Sequence, residues 1–284
     1  MNLKELLKIA ILRLDSDFKD DLNSKGLKND ITTQSLISHK KNILAIISNR
    51  EDIILCGEYF ISRFLKKNPS LKYKSFFSDG KFIKKNSKIA EIFGDAKIIF
   101  SLERTLLNFL QHLSSIATYT KKFEDLLKNS NTKLLDTRKT IPGLRKLQKY
   151  ATMIAGCKNH RIGLFDDIII KDNHIKVLGG IEKTLEILKN KKIKDYKIEC
   201  DNFSQVKKCI VAKAKYIMLD NMSPTKIHDC VKFKNLKKSK VKFEISGGID
   251  LNNLKQFSRL GADYISTSKI TNCPKSVDIG LDII

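Results

Sequence analysis

No stretch of this sequence approaches the roughly 20 consecutive apolar residues that a membrane-spanning helix needs. No C-x-x-C pair or Cys/His cluster with zinc-finger spacing occurs among Cys56, Cys157, Cys200, Cys209, Cys230 and Cys273, and tryptophan is absent. Reduced, mostly structural thiols and a cytoplasmic setting are the expectation. Neither G-x-G-x-x-G nor G-x-x-x-x-G-K-[ST] is present, which removes dinucleotide-fold and P-loop readings. No Ser/His/Asp or Cys/His arrangement stands out, which argues against covalent hydrolysis. Arginine is also scarce: of 54 basic residues only those at 13, 50, 63, 104, 138, 145, 161 and 259 are arginine. Where lysine otherwise supplies positive charge, a retained arginine suggests a need for the planar fork that grips carboxylates and phosphates. Half of the arginines fall between 104 and 161, so an anionic substrate is expected.

What is present is a chain of 284 residues with 42% hydrophobic content and a formal charge of +23. That is ample for a large core, either one barrel or a barrel with a smaller domain. The charge raises a nucleic-acid reading through counterion release. The lysines are spread along the whole sequence, however, and no basic block reaches the length of a tail, so a lysine-rich solvated surface that attracts small anions is the simpler account. The N-terminal segment carries a short apolar stripe that soon meets Asp15, Asp17, Asp20 and Asp21. It reads as an amphipathic helix and not as a signal or transit sequence.

Up to about residue 109 the signals are mixed, with helical stripes at 3–13 and 55–66 and strand-like pieces at 42–48 and 96–101. An α+β region is expected there. A longer helical period runs over 105–128, with Glu103 and Arg104 at its start. After it a short apolar run ending in a polar residue recurs six times, at 133–136, 167–171, 196–200, 216–220, 241–246 and 263–268. Unbroken apolar runs are what parallel strands buried on both faces look like, and their alternation with helices predicts βα units. The fold class is α/β: an N-terminal α/β sandwich domain (1–108, rejoined by 270–284) and a C-terminal open α/β barrel of about six parallel strands (109–269).

In such barrels chemistry gathers at the carboxyl ends of the strands. The residues there are Asp136, Arg138, Lys139, Lys171, Glu199, Asp220 and Ser246. Glu199 and Asp220 end neighbouring strands, so they project to one rim and either hold a hard cation such as Mg²⁺ against a polyphosphate or cap the helices that follow. Ser246-Gly247-Gly248, before a helix beginning near Asp250, makes either a phosphate cradle or a tight turn. His160 and Arg161 join Arg138, Lys139 and Lys171 in a predicted cationic pocket. His39, His112, His174 and His228 take structural readings.

The segments 29–33, 103–118, 134–151, 159–175, 217–224 and 244–254 and the ending SVDIGLDI resemble the quinolinate phosphoribosyltransferase family over nearly the whole chain. The resemblance implies transfer of phosphoribose from phosphoribosyl pyrophosphate to quinolinate with Mg²⁺, in de novo NAD synthesis. The products are nicotinate mononucleotide, pyrophosphate and CO₂. It implies that Arg138, His160, Arg161 and Lys171 bind the two quinolinate carboxylates and that Thr137 also binds substrate, with Arg104 supplied by a neighbouring subunit of a homodimer or hexamer. Lys139 would lie between the substrates, with Lys139, Lys171, Glu199 and Asp220 as the catalytic set. Glu199 and Asp220 would meet the ribose and the metal-bound pyrophosphate. Ser246, Gly247, Gly248, Thr267 and Ser268 would cradle the 5′-phosphate. No nucleic-acid or membrane partner is implied. The chain departs from the family pattern at Ala155-Gly156-Cys157, at Thr267-Ser268-Lys269 and at Lys197, which stands where an acidic residue is common. A same-fold relative acting on another substrate, such as the molybdenum-transport-associated homologues, is the alternative.

Overall fold

The computed structural model describes residues 2–23 and 26–284. In chain order the first elements are α1 (Leu3–Asp21), α2 (Ile31–Leu36), β1 (Asn42–Asn49), β2 (Ile53–Ile54), α3 (Glu58–Leu65), β3 (Lys72–Ser75), β4 (Phe82–Ile83), β5 (Lys88–Asp95) and α4 (Ala96–Leu127). They are followed by β6 (Lys133–Leu135), α5 (Arg145–Ile154), β7 (Ile169–Ile170), α6 (Asp172–Val177), α7 (Ile181–Asn190), β8 (Lys197–Cys200), α8 (Phe203–Val211) and β9 (Tyr216–Asp220). The last are α9 (Pro224–Leu236), β10 (Lys242–Ser246), α10 (Leu254–Ser258), β11 (Tyr264–Ser266), α11 (Lys269–Asn272) and β12 (Ile279–Ile283). The chain divides into two compact units, one of Met1–Lys121, Gly143–Gly156 and Pro274–Ile284, the other of Lys122–Pro142 and Cys157–Cys273.

The first unit is built on an antiparallel sheet in the order β12-β1-β5-β3. In β1 the later residues alternate between buried and half-buried, as one covered sheet face requires. Helix α1 opens where Asn2 accepts the Lys4 amide at 2.9 Å, and it buries Leu6, Ala10 and Leu14 on a single stripe. These side chains join Ala45, Ile47, Phe60, Leu110 and Ile116 in one apolar cluster.

The second unit carries six parallel strands in the order β6-β11-β10-β9-β8-β7. Strands β8, β9 and β10 are buried without alternation along their centres, the mark of a sheet covered on both faces. Closure would need β6 to pair with β7. That ladder is missing, and a single bridge from Leu135 to Lys158 stands beside β6, so the barrel is open. Side chains start two of the helices that return from these strands: Asn202 accepts the Gln205 amide at 3.0 Å to open α8, and Ser223 with Pro224 opens α9.

The packing changes three sequence expectations. Residues 96–101 are not a strand but the opening of α4, whose Ala96, Ile99, Leu102 and Leu106 are buried at helical spacing while Asp95 accepts the Lys97 amide at 3.0 Å. Two adjacent isoleucines mimic a strand in isolation, and the long-range stripe overrides them. Glu103 and Arg104 therefore lie roughly two turns inside the helix and not at its start. The unit border also departs from 108/109: α4 stays with the first unit to Lys121, and α5 belongs there because Leu147, Tyr150 and Ala151 enter its apolar cluster. Finally, α3 begins at Glu58 after Gly57 (φ 110°), with 53–54 paired as a strand.

Candidate active site

Strand order fixes what stands beside what at the carboxyl rim of the barrel. From β6 round to β7 the rim presents Arg138 and Lys139, then Thr267 and Ser268, then Ser246 to Gly248, then Asp220, Glu199 and Lys171. All of these, with Thr137, His160 and Arg161, line one cavity of about 740 Å³. Every site residue named from the sequence is in that lining except Arg104 and Asp136, which is buried beneath it. Arg104 lies on α4 in the other unit, its side chain 62% exposed, with Glu103 at 3.8 Å.

The Asn-His-Arg turn is positioned by Asp136, which is wholly buried after β6. Its carboxylate accepts the His160 amide at 2.8 Å and the Asn159 side-chain amide at 2.7 Å. His160 Nδ1 in turn accepts the Arg161 amide at 2.8 Å, and the Arg161 guanidinium donates to the Asp167 carbonyl at 2.8 Å. Burial pushes the Arg161 guanidinium down, and the neighbouring Arg138 charge adds to this. Arg138 makes no ion pair among the described residues, and its buried Nε lacks a hydrogen-bond partner. Two guanidinium groups lining one cavity, with the charge of Arg138 disfavouring that of Arg161, are suited to an incoming anion.

The acid side of the rim is organised differently. Lys171 Nζ meets Glu199 Oε2 at 2.5 Å, so the free protein already neutralises one of the two carboxylates. Asp220 accepts the Asn221 side-chain amide at 2.6 Å. Among the described residues no group of three or more His, Cys, Asp or Glu side chains is arranged to hold a metal ion. The donor set suits a hard cation that brings most of its oxygens with a polyphosphate and water.

The glycine loop is a backbone device. Gly247 (φ +92°) and Gly248 (φ +65°) both adopt left-handed backbone, and a Cβ on Gly247 would stand 2.9 Å from the Asn221 backbone nitrogen. Gly248 faces open space. Helix α10 starts at Leu254, after a turn in which Asp250 accepts the Asn252 and Asn253 amides, so the helix follows at a distance and not near Asp250. Loop amides, and not a helix dipole, are what this segment offers a phosphate. Thr267 donates to the Ile249 carbonyl at 2.7 Å, and Thr271 donates to the Lys139 carbonyl at 2.7 Å. These two hydroxyls clip the loops after β10, β11 and β6 together.

Sequence reasoning passed over three contributors. Thr271 carries no motif. Glu244 lies two residues before the serine of the glycine loop, wholly buried and lining the cavity, and it reads as strand filler in a run of apolar residues. Tyr216 donates to Glu244 Oε2 at 2.6 Å. Burial alone would raise the Glu244 carboxyl, yet His160, Ser266 and Tyr216 hold it below its ordinary value. Of the other histidines, His174 accepts the Lys171 amide at 2.9 Å and starts α6, while His112 sits within 3.1 Å of Gln148 with its pKa lowered by burial.

Comparison with known proteins accords with this geometry. Residues 116–282 match the model of the quinolinate phosphoribosyl transferase C-terminal domain, and residues 30–114 match that of its N-terminal domain. The chain is 38% identical over 262 residues to a probable carboxylating nicotinate-nucleotide pyrophosphorylase of Methanocaldococcus jannaschii, covering 90% of this chain and 92% of that protein. It is 36% identical over 259 residues to its counterpart in Bacillus subtilis, covering 89% and 88%. The solved nicotinate-nucleotide pyrophosphorylase from Francisella tularensis superposes with a TM-score of 0.88 at 37% identity, covering 98% of this chain and 97% of that one. The order of the two domains, the open six-stranded barrel and these likenesses together place the chain in the quinolinate phosphoribosyltransferase family.

Proposed function

We propose that this protein transfers phosphoribose from phosphoribosyl pyrophosphate to quinolinate with decarboxylation, the step of de novo NAD synthesis that makes the pyridine nucleotide. The observation that carries this is the Arg138 and Arg161 pair, two guanidinium groups lining one cavity, with the buried Nε of Arg138 lacking a hydrogen-bond partner. A pyridine with two adjacent carboxylates satisfies both forks, and nicotinate satisfies one.

Arg138, Arg161 and Lys171 hold the dicarboxylate, with Thr137 and His160 at the same side of the cavity. Loop 246–248 and Thr267-Ser268 receive the 5′-phosphate. Glu199 and Asp220 face the ribose hydroxyls between these two regions. Mg²⁺ fits the rim at Glu199 and Asp220, chiefly through water and pyrophosphate, and would supply charge neutralisation to the departing diphosphate. Lys139, exposed beside Arg138, offers its ammonium to the same developing charge. The C1–O bond breaks as the pyridine nitrogen forms its bond to C1. The ring nitrogen is then cationic, so the bond to the adjacent carboxylate breaks with its electron pair left at C2, where that charge stabilises it. C2 takes up a proton from water to finish the product, and no general base is needed.

Arg104 acts in a homodimer or hexamer, entering the pocket of the neighbouring subunit. Among the described residues no helix is long and apolar enough to cross a membrane. The six cysteines are free and five of them are buried, which supports a reducing cytoplasmic setting. Incubation with quinolinate, phosphoribosyl pyrophosphate and Mg²⁺, followed as CO₂ and nicotinate mononucleotide release, tests the proposal. Turnover of quinolinate and not of nicotinate is expected. Equal use of nicotinate, or no turnover by folded protein, would reject the dicarboxylate pocket.

A further inference from the structure

Below the reacting rim, six residues form a closed circuit, through side chains and two backbone groups, that begins and ends at Arg161. The Arg161 guanidinium donates to the Asp167 carbonyl at 2.8 Å, and the Asp167 carboxylate pairs with Lys197 at 2.8 Å. Lys197 Nζ lies 4.7 Å from the centre of the Tyr216 ring, and Tyr216 donates to Glu244 at 2.6 Å. Glu244 faces His160 Nε2 at 3.5 Å, and His160 Nδ1 accepts the Arg161 amide at 2.8 Å. The circuit gives Lys197 a role: the residue that departs from the family pattern pairs with Asp167 and covers the tyrosine.

The hydrogen bonding decides which histidine proton is present. A backbone N–H can only donate, so Nδ1 must offer its lone pair, and a neutral ring then carries its proton on Nε2, toward Glu244. A carboxylate buried in a cavity built for anions opposes substrate binding unless it does something for the site. The geometry points to Glu244 and Tyr216 as positioning residues that hold His160 as the neutral Nε2–H tautomer and thereby fix the backbone and guanidinium of Arg161. His160 then serves the pocket as a hinge pin and not as a cation, and the substrate charge falls to Arg138, Arg161 and Lys171. The 3.5 Å contact is long for a hydrogen bond, as such contacts often are before a substrate tightens the site.

This inference rests on the proposed reaction for its kinetic readout, so the test has a second readout that does not. Histidine labelled with ¹⁵N in the ring, in the full-length protein, reports which ring nitrogen carries a proton. His160→Asn assigns the signal among the five histidines. A neutral Nε2–H ring near neutral pH is expected in the wild type, with that pattern lost or mixed in Glu244→Gln. The same variant is expected to lower kcat/KM for quinolinate by about 10- to 100-fold while KM for phosphoribosyl pyrophosphate stays within about twofold. Tyr216→Phe is expected to follow at about tenfold, and it carries both readouts if Glu244→Gln does not fold. A wild-type ring protonated on Nδ1 or on both nitrogens, or a folded Glu244→Gln enzyme with wild-type kcat/KM, overturns the inference. If the wild type does not turn over quinolinate, the proposed reaction fails and the ring spectrum alone decides this point.

Discussion

The two units each bury carboxylates and treat them in opposite ways. In the first unit Asp79 accepts the amides of Gly57 and Glu58 at 2.9 Å and the Tyr150 hydroxyl at 2.8 Å, and burial still pushes its carboxyl up. Glu58, whose amide Asp79 accepts and which is also buried, is raised for the same reason. In the second unit Glu244 is at least as buried and is held low. Each accepts a tyrosine hydroxyl that lowers it, and the difference lies in the other neighbours: Asp79 has only backbone amides besides, whereas Glu244 also faces His160 and the Ser266 hydroxyl. The first unit uses a carboxylate as a helix cap, a role that survives protonation. The second keeps a charge beside the site where charge is handled.

That contrast can be broken most severely at the rim. Arg138→Ala and Lys171→Ala should each lower turnover by about a thousandfold or more while circular dichroism and melting stay near wild type, because each removes charge complementarity made in the transition state. Near wild-type activity in either variant would mean that the cavity has been assigned to the wrong substrate groups. Mixing Arg104→Ala chains with Arg138→Ala chains should restore activity to about a quarter of the wild-type rate, since random pairing of a two-fold dimer leaves one intact site in the mixed species. No recovery after refolding the mixture together would place Arg104 outside the neighbouring pocket.

Gly247→Ala combines left-handed backbone with a close approach to Asn221, so a loss of about 1–3 kcal/mol in stability is expected together with weaker phosphoribosyl pyrophosphate binding. Calorimetry and KM measure the two effects, and an unchanged melting temperature would show that the loop relaxes. Asp79→Asn, by contrast, should cost about 1–2 kcal/mol and leave kcat unchanged.

The smallest effect is a difference in acid response. Asp79 is raised in the folded state, so its contribution is fully present below its ordinary value and is lost as pH rises through the raised one. Glu244 is lowered, so its contribution is present above the ordinary glutamate value and is lost as pH falls through the lowered one. Amide exchange followed from neutral pH into the acid range should show protection falling around β10 while the start of α3 holds or gains. Parallel loss in both units would remove the distinction drawn between them.

The sequence alone determined the six parallel strands and the polar residues at their ends, because an apolar run capped by one polar residue is a local pattern that both burial and strand direction respect. It also marked Arg138, His160, Arg161, Lys171, Glu199, Asp220 and the glycine pair, which the strand order brings to one cavity. It misread 96–101, where two isoleucines carry a strand preference that a longer helical stripe overrides. It gave no sign that α5 packs in the first unit, since its apolar face fits either core. Only the tertiary structure decided that Lys171 rests on Glu199, that Thr267 and Thr271 clip three loops together, and that Glu244 and Tyr216 stand beneath His160. These contacts join residues between 18 and 132 positions apart, so they depend on strand order and side-chain direction, which no local pattern encodes.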